Sequence, residues 1–171
     1  VATGLTVATT SYVATTPVWM LDVPVGTTII PISLVARQVG TVAGGVIKAI
    51  LSADSIRRYS SGGTAKTPIN LKIGGSYTGS ANGPRASTAL VYTGATAAAV
   101  NTHIELFSTF LTMDVGGGTL PGSLQTIFNW PAEQSTALPN LVGPASLLFH
   151  TFAGTTNATW SYRFTWIELD S

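Results

Sequence analysis

The chain has 171 residues and a mass of 17.7 kDa, enough for one domain with a core of its own. Only 15 of them are Asp, Glu, Lys or Arg, 9% against an average of about 25%, and the formal net charge is +1. These figures exclude the field of a typical nucleic-acid binder and the composition of a disordered chain, and the absence of cysteine excludes disulfide frameworks, thiol nucleophiles and thiolate metal sites.

In chain order, Val1-Ala2-Thr3-Gly4 has no basic region followed by an apolar block, so no signal peptide is read there. Thr3 to Thr16 is rich in Thr and Ala with weak patterning; residues 1–16 read as an N-terminal arm, or as an edge strand that docks only in an assembly. Val18 to Val23 is the next strand candidate. From Ile30 to Ala36 the even positions Ile30, Ile32, Leu34 and Ala36 are apolar and predict a buried face, while Pro31, Ser33, Val35 and Arg37 make a mixed one. Val46 to Ser52 follows as a strand. Asp54 to Tyr59 would hold a single helical turn capped by Asp54, and Ala95 to Asn101 is an Ala-rich second, each too short to be stable alone.

Further strands are expected at Ile69 to Ile73, Ala89 to Thr93, His103 to Thr112, Ser123 to Asn129 and Ser146 to Phe152. The clearest two-residue period is at the C-terminus, where Ala158, Trp160, Tyr162, Phe164 and Trp166 alternate with Thr159, Ser161, Arg163 and Thr165. Ile167 and Leu169 then fall on the other parity, which predicts a bulge near Trp166 or burial of both faces. Gly44-Gly45, Ser61-Gly62-Gly63, Gly74-Gly75, Asn82-Gly83-Pro84, Gly116-Gly117-Gly118, Pro121-Gly122 and Gly143-Pro144 punctuate the strands. About eight to ten short strands without an internal repeat or a dividing linker predict one all-β domain, 1–171, an antiparallel sandwich or barrel. The greasiest region, Ile29 to Leu51, is interrupted by Arg37, Gln38 and Lys48, so no helical membrane span is expected.

A folded chain of this mass exposes about 8,000 Å², which leaves roughly one charge per 500 Å². The rest would be supplied by 26 Thr, 15 Ser and 18 Gly, with 45% hydrophobic residues and a mean hydropathy of +0.37. Such an exterior protects a free monomer poorly against association, and the chain reads as part of an assembly.

Catalysis needs ionisable groups placed for proton transfer, attack or metal binding. His103 and Glu105 lie two apart on an expected strand, on one face, and with His150 would make a two-histidine, one-carboxylate metal set; a sheet-face pair bonded to its neighbours is the plainer reading. Asp114 before three glycines reads as a strand-ending loop. There is no P-loop, no Gly-x-Gly-x-x-Gly and no Gly-x-Ser-x-Gly elbow, and no base is nominated for the many hydroxyls. No enzyme activity, catalytic residue, metal or cofactor is expected. Arg57, Arg58, Lys66 and Lys72 form the one positive cluster, read as a solvated rim or as salt-bridge partners rather than as a phosphate contact. Asn157-Ala158-Thr159 is a glycosylation sequon of the kind that chance produces in a Thr-rich chain. Trp130, before Pro131, is the expected exposed ring of a sugar-stacking platform, whereas Trp160, Tyr162, Phe164 and Trp166 form a stripe for a core or a subunit interface.

Three segments carry a likeness: Gly26-Thr27-Thr28-Ile29-Ile30-Pro31-Ile32-Ser33-Leu34, Ser61-Gly62-Gly63-Thr64-Ala65-Lys66-Thr67-Pro68-Ile69-Asn70-Leu71, and Phe164-Thr165-Trp166-Ile167-Glu168-Leu169. Together they resemble a loosely defined group of small virion proteins of tailed phages, over the chain from about Thr27 to Ser171. The resemblance implies a single jelly roll of about eight strands in two facing sheets that trimerises and sits on the capsid surface as a cement or decoration protein. The expectation is therefore a structural virion protein, a capsid decoration, cement or minor capsid subunit. Its partners would be further copies of itself and the major capsid protein, with neither membrane nor direct nucleic-acid binding. Self-association is assigned to Val18, Trp19 and Met20 with the stripe Trp160, Tyr162, Phe164 and Trp166. The competing expectation is a carbohydrate- or receptor-binding sandwich module.

Overall fold

A computed structural model describes residues 2–6, 10–38, 45–66, 68, 89–100, 102–113, 126–130, 139–153 and 159–170. Eleven strands account for most of them: β1 (Ala2–Thr6), β2 (Trp19–Val23), β3 (Thr27–Gln38), β4 (Gly45–Asp54), β5 (Tyr59–Lys66), β6 (Leu90–Ala97), β7 (Ile104–Met113), β8 (Thr126–Trp130), β9 (Leu141–Val142), β10 (Ala145–Ala153) and β11 (Thr159–Asp170). No helix occurs among the described residues. Every pairing is antiparallel. Sheet A runs β1-β11-β3-β8, with β9 pairing the start of β3, and sheet B runs β5-β6-β2-β10-β4-β7.

The sheets pack through one apolar cluster that draws on both. Alternation selects its members: Trp19, Leu21 and Val23 from β2, Ile47, Ala49 and Leu51 from β4, and Leu147 and Phe149 from β10 all lie on the inner side of sheet B. Trp19 is fully buried. Its ring lies 5.9 Å from Phe149 across the β2–β10 ladder, and 5.6 Å from Tyr162 and 5.0 Å from Phe164 of the opposite sheet. Burial pushes the Tyr162 hydroxyl up to about 12.

The expected strand at Ile30 to Ala36 is present, but its buried positions differ. Thr165 pairs with Ser33 and Trp166 with Pro31, so Ile32 has no opposite number. This bulge sits beside Pro31, which has no N–H to give to a ladder. It reverses the parity of β3: Thr27, Ile29 and Pro31 are buried before it, Leu34 and Ala36 after it, and Ile30 and Ile32 are half-buried rather than core. The irregularity expected near Trp166 is therefore real but lies in β3. On β11 the alternation continues unbroken, and Ile167 and Leu169 project outward, 47% and 46% exposed.

Both short helical expectations fail. Asp54 ends β4 and Tyr59 opens β5, while Ala95 to Ala97 belongs to β6, because pairing of β5 with β6 supplies their backbone partners, Gly62 opposite Ala95 among them. Ser61-Gly62-Gly63, read as a turn, lies inside β5. Gly63 has φ +77°, and a Cβ there would stand 2.8 Å from the Ala95 Cβ. The N-terminal segment needs no assembly to dock: Ala2 to Thr6 is an edge strand paired with β11 of its own chain. The expected strand Ile69 to Ile73, Asp114 and its glycines, and Asn157-Ala158 lie outside the described residues.

Gly143 joins the β9–β10 turn to the β2–β3 turn. Its N–H donates to the Thr27 carbonyl at 2.9 Å, and a Cβ at Gly143 would collide with the Pro24 carbonyl oxygen. Gly143→Ala is expected to lower stability by about 1 to 3 kcal/mol through this overpacking. A denaturant midpoint equal to that of the parent protein would show that the two turns do not meet.

Candidate functional site

The two sheets differ in what covers their outer sides. In sheet B, β10 is buried on both faces from Ala145 to Thr151. Leu148, on the outer side, forms a second cluster with Met20, Ala95 and Ala97, closed by Tyr59 and Tyr92, whose rings stack at 4.2 Å. His150, two residues on, lies under the segment that leads into β2. The Tyr12 and His150 rings are 5.0 Å apart, and His150 Nε2 is 3.4 Å from the Ala14 carbonyl oxygen. The Tyr12 hydroxyl reaches His103 Nε2 at 2.9 Å, and burial pushes that hydroxyl's pKa up.

A buried ion pair extends this layer. Arg58 Nη1 donates to Asp54 Oδ2 at 3.0 Å, and both side chains are almost wholly removed from water. Arg58 Nε donates to the Ala98 carbonyl at 2.8 Å, its backbone N–H to Ser146 Oγ at 2.8 Å, and the Thr102 hydroxyl to Asp54 at 2.9 Å. One guanidinium thus fixes the turn before β5 and the connection after β6 to the outer side of sheet B. The two charges pair through Nη1, which offsets part of the desolvation that burial imposes, while Arg58 Nη2 is buried without a hydrogen-bond partner among the described residues. Arg57 pairs with Asp22, which is buried on β2. The expected positive cluster is therefore dispersed: Arg57 and Arg58 answer separate carboxylates, Lys66 is exposed on β5, and Lys72 lies outside the described residues.

His103 and His150 come together as the spacing allowed, each tied to Tyr12. Among the described residues, no group of three His, Asp or Glu is arranged to hold a metal. Trp130 corrects the expectation of an exposed ring: it ends β8 opposite Leu34, 3% exposed, in the shared core. The proline after it suggested a loop, whereas the ladder with β3 reaches Trp130 itself.

The residues assigned to self-association are engaged inside the subunit. Val18, Trp19, Met20 and Tyr162 are buried within one chain, and Phe164 and Trp166 pack against the core with their rings stacked 5.1 Å apart. The side chain of Trp160 is not among those described. An aromatic stripe at period two marks the inner side of a sheet, and here that side faces the second sheet rather than another copy.

Among the described residues, no second layer covers the outer side of sheet A. Register places Val142, Thr28 and Leu169 in one row across β9, β3 and β11, and Ile30 beside Ile167 in the next. Val142 is 60% exposed, and Ile167 and Leu169 nearly half. Farther along the same side, Val35 faces Arg163 and Arg37 faces Ser161, both arginines exposed. Neither arginine has an ion-pair partner among the described residues. The apolar end was visible in the sequence as the odd parity of Ile167 and Leu169 after an even aromatic stripe, but was read as a phase shift. The buried Asp54–Arg58 pair carried no sequence signal beyond its four-residue spacing.

Comparisons of the chain with protein-family models, with curated proteins and with solved structures find no match.

Two measurements check the buried layer. Burial lowers His150 from 6.5 to about 4; the Ala14 carbonyl opposes that shift, and His103 and Arg58 add to it. Between these values the unfolded chain binds a proton that the folded chain refuses, so stability falls as pH drops from about 6.5 to about 4 and is flat in this respect above 6.5. The loss approaches about 3 kcal/mol; His150→Gln should flatten the pH dependence of the urea midpoint across that window. For the ion pair, Arg58→Met alone leaves the Asp54 carboxylate buried with only Thr102 and is expected to cost about 3 to 5 kcal/mol. Asp54→Leu with Arg58→Met should cost clearly less than the sum of the single changes, a coupling that chemical denaturation of the four proteins would read.

Proposed function

We propose that the chain is a structural virion protein: a single jelly roll that serves as a capsid decoration or cement subunit, or a minor capsid subunit, binding copies of itself as a trimer and the major capsid lattice. The fold part of this reading is supported by the strand order. With the β5–β6 hairpin and the two-residue β9 set aside, the remaining strands in chain order run 1-8-3-6 in sheet A and 2-7-4-5 in sheet B. This order supports a jelly-roll reading, in which successive strands cross between facing sheets except at the β4–β7 step within sheet B. The hairpin then extends sheet B outward beyond β2.

A fold does not by itself give a function. The observation that carries the functional reading is the bare outer side of sheet A, a row of exposed aliphatic side chains on a chain with 15 ionisable Asp, Glu, Lys and Arg side chains. A flat, weakly hydrated sheet face suits a permanent protein contact more than solvent. The likeness of three segments to small phage virion proteins points the same way. A sugar platform has no such support, because Trp130, the ring it was to use, is inside the core.

Mechanically, such a subunit spans seams between capsid proteins. Each contact is modest, but several held on one oligomer act at high effective concentration, and interfaces of about 1,600 Å² resist outward pressure together. The test is co-sedimentation of the purified chain with capsids of the virus whose genome carries it. Saturable binding at a fixed copy number, with matching added density on the capsid in cryo-EM, is expected. Capsids that leave the chain in the supernatant, or glycan-array binding without capsid binding, would overturn the proposal.

A further inference from the structure

The outer side of sheet A has two ends, aliphatic at Val142, Ile30, Ile167 and Leu169 and cationic at Arg37 and Arg163. Its complement lies elsewhere on the same chain. At the free edge of sheet B, β7 pairs with β4 on one side only. Its exposed positions include Ile104, Glu105 and Phe110. Glu105 lies opposite Ser52 and Phe110 opposite Lys48, on the outer side of sheet B. The Lys48 ammonium sits 4.7 Å from the centre of the Phe110 ring, leaving the rest of that side chain uncovered.

Charge selects between the possible occupants. Asp22 and Asp54 are consumed by Arg57 and Arg58. Among the described residues, Glu105 is the one carboxylate whose side chain is classed as exposed, and Arg37 and Arg163 are the exposed arginines without a carboxylate. A two-fold contact of the sheet A face with itself offers the arginines no carboxylate, because that side carries none among the described side chains. A contact of that face with the outer side of β7 brings the opposite charges together and covers Phe110 with aliphatic side chains.

We infer that the outer side of sheet A in one copy receives the outer side of the β7 edge of a second copy, Arg37 and Arg163 meeting Glu105 while Ile30, Val142, Ile167 and Leu169 cover Phe110. The inference rests on the assembly reading above and names its self-association surface. The contact is heterologous: each copy presents one face and one edge, so repetition closes a ring or extends an array according to the rotation between copies. It also accounts for the aliphatic side chains left on the outer side of sheet A and for the uncovered Phe110 at the edge of sheet B.

Sedimentation velocity on the full chain at rising concentration tests it. The parent protein is expected to self-associate; Arg163→Glu and Glu105→Arg should each weaken this at least tenfold. The double variant Arg163→Glu with Glu105→Arg should regain association to within about threefold, because every contact between its copies again carries opposite charges whatever the size of the ring. Glu105→Gln should weaken association less than Glu105→Arg, and unchanged circular dichroism and unfolding midpoints exclude misfolding as the cause. A parent protein that stays monomeric, a single reversal without effect, or a double variant that fails to recover would overturn the inference. A monomer that still co-sediments with capsids would overturn this interface and leave the virion reading standing, whereas an intact reciprocal pairing without capsid binding would do the reverse.

Discussion

The contact on which the rest depends is the indole of Trp19, set between Phe149 of its own sheet and Tyr162 and Phe164 of the other. A two-sheet protein without disulfides must hold its layers together by apolar area alone, and aromatic rings supply the most per residue. The ring also ties the chain's ends together, since β2 lies near the start and β11 at the finish. Strand β1 is laid along β11, so an early and a late segment share sheet A.

From that core outward the two sheets follow different rules. Sheet B hides the outer side of its central strands beneath its own chain, and the side chains there are chosen accordingly: Met20 and Leu148 in an apolar patch, then Tyr12, His150 and the Asp54–Arg58 pair in a polar one. Burying two charges and an imidazole costs free energy, which paired geometry offsets without adding much stability. The benefit is positional. A single guanidinium bonded to Asp54 and the Ala98 carbonyl admits few alternative placements for the connections it touches. Sheet A has no such cover among the described residues, and its outer side carries aliphatic residues where a solvated sheet would alternate to polar ones. The asymmetry points to a partner on sheet A, as the proposed assembly requires.

Much of the fold was legible because strands write a period of two into the chain. That period is plain in β11 and, up to the bulge, in β3, whereas the segments that became β2, β4, β7 and β10 read as strands from apolar content between turn formers; their extents were read within a few residues. The failures have local causes. The bulge at Ile32 reversed the parity of β3, so Ile30 and Ile32 were assigned to the core in place of Ile29 and Pro31. β5 reads as Ser-Gly-Gly turn chemistry and becomes a strand because β6 offers it a ladder. Both one-turn helices were outcompeted by those same pairings, since a helical turn of this length has too little local stability to resist a sheet edge.

The sequence by itself determined an all-β chain with a single aromatic-rich core and too few charges for an ordinary solvated exterior, because periodicity and composition are properties of the chain before it folds. Which side of each aromatic stripe is inside, where Arg57 and Arg58 find their carboxylates, and why Trp130 is buried were decided only by tertiary structure. Those answers depend on which strands become neighbours. A residue's partner across a sheet or between sheets is set by register and packing over separations of tens of residues, and one chain carries no local mark of it.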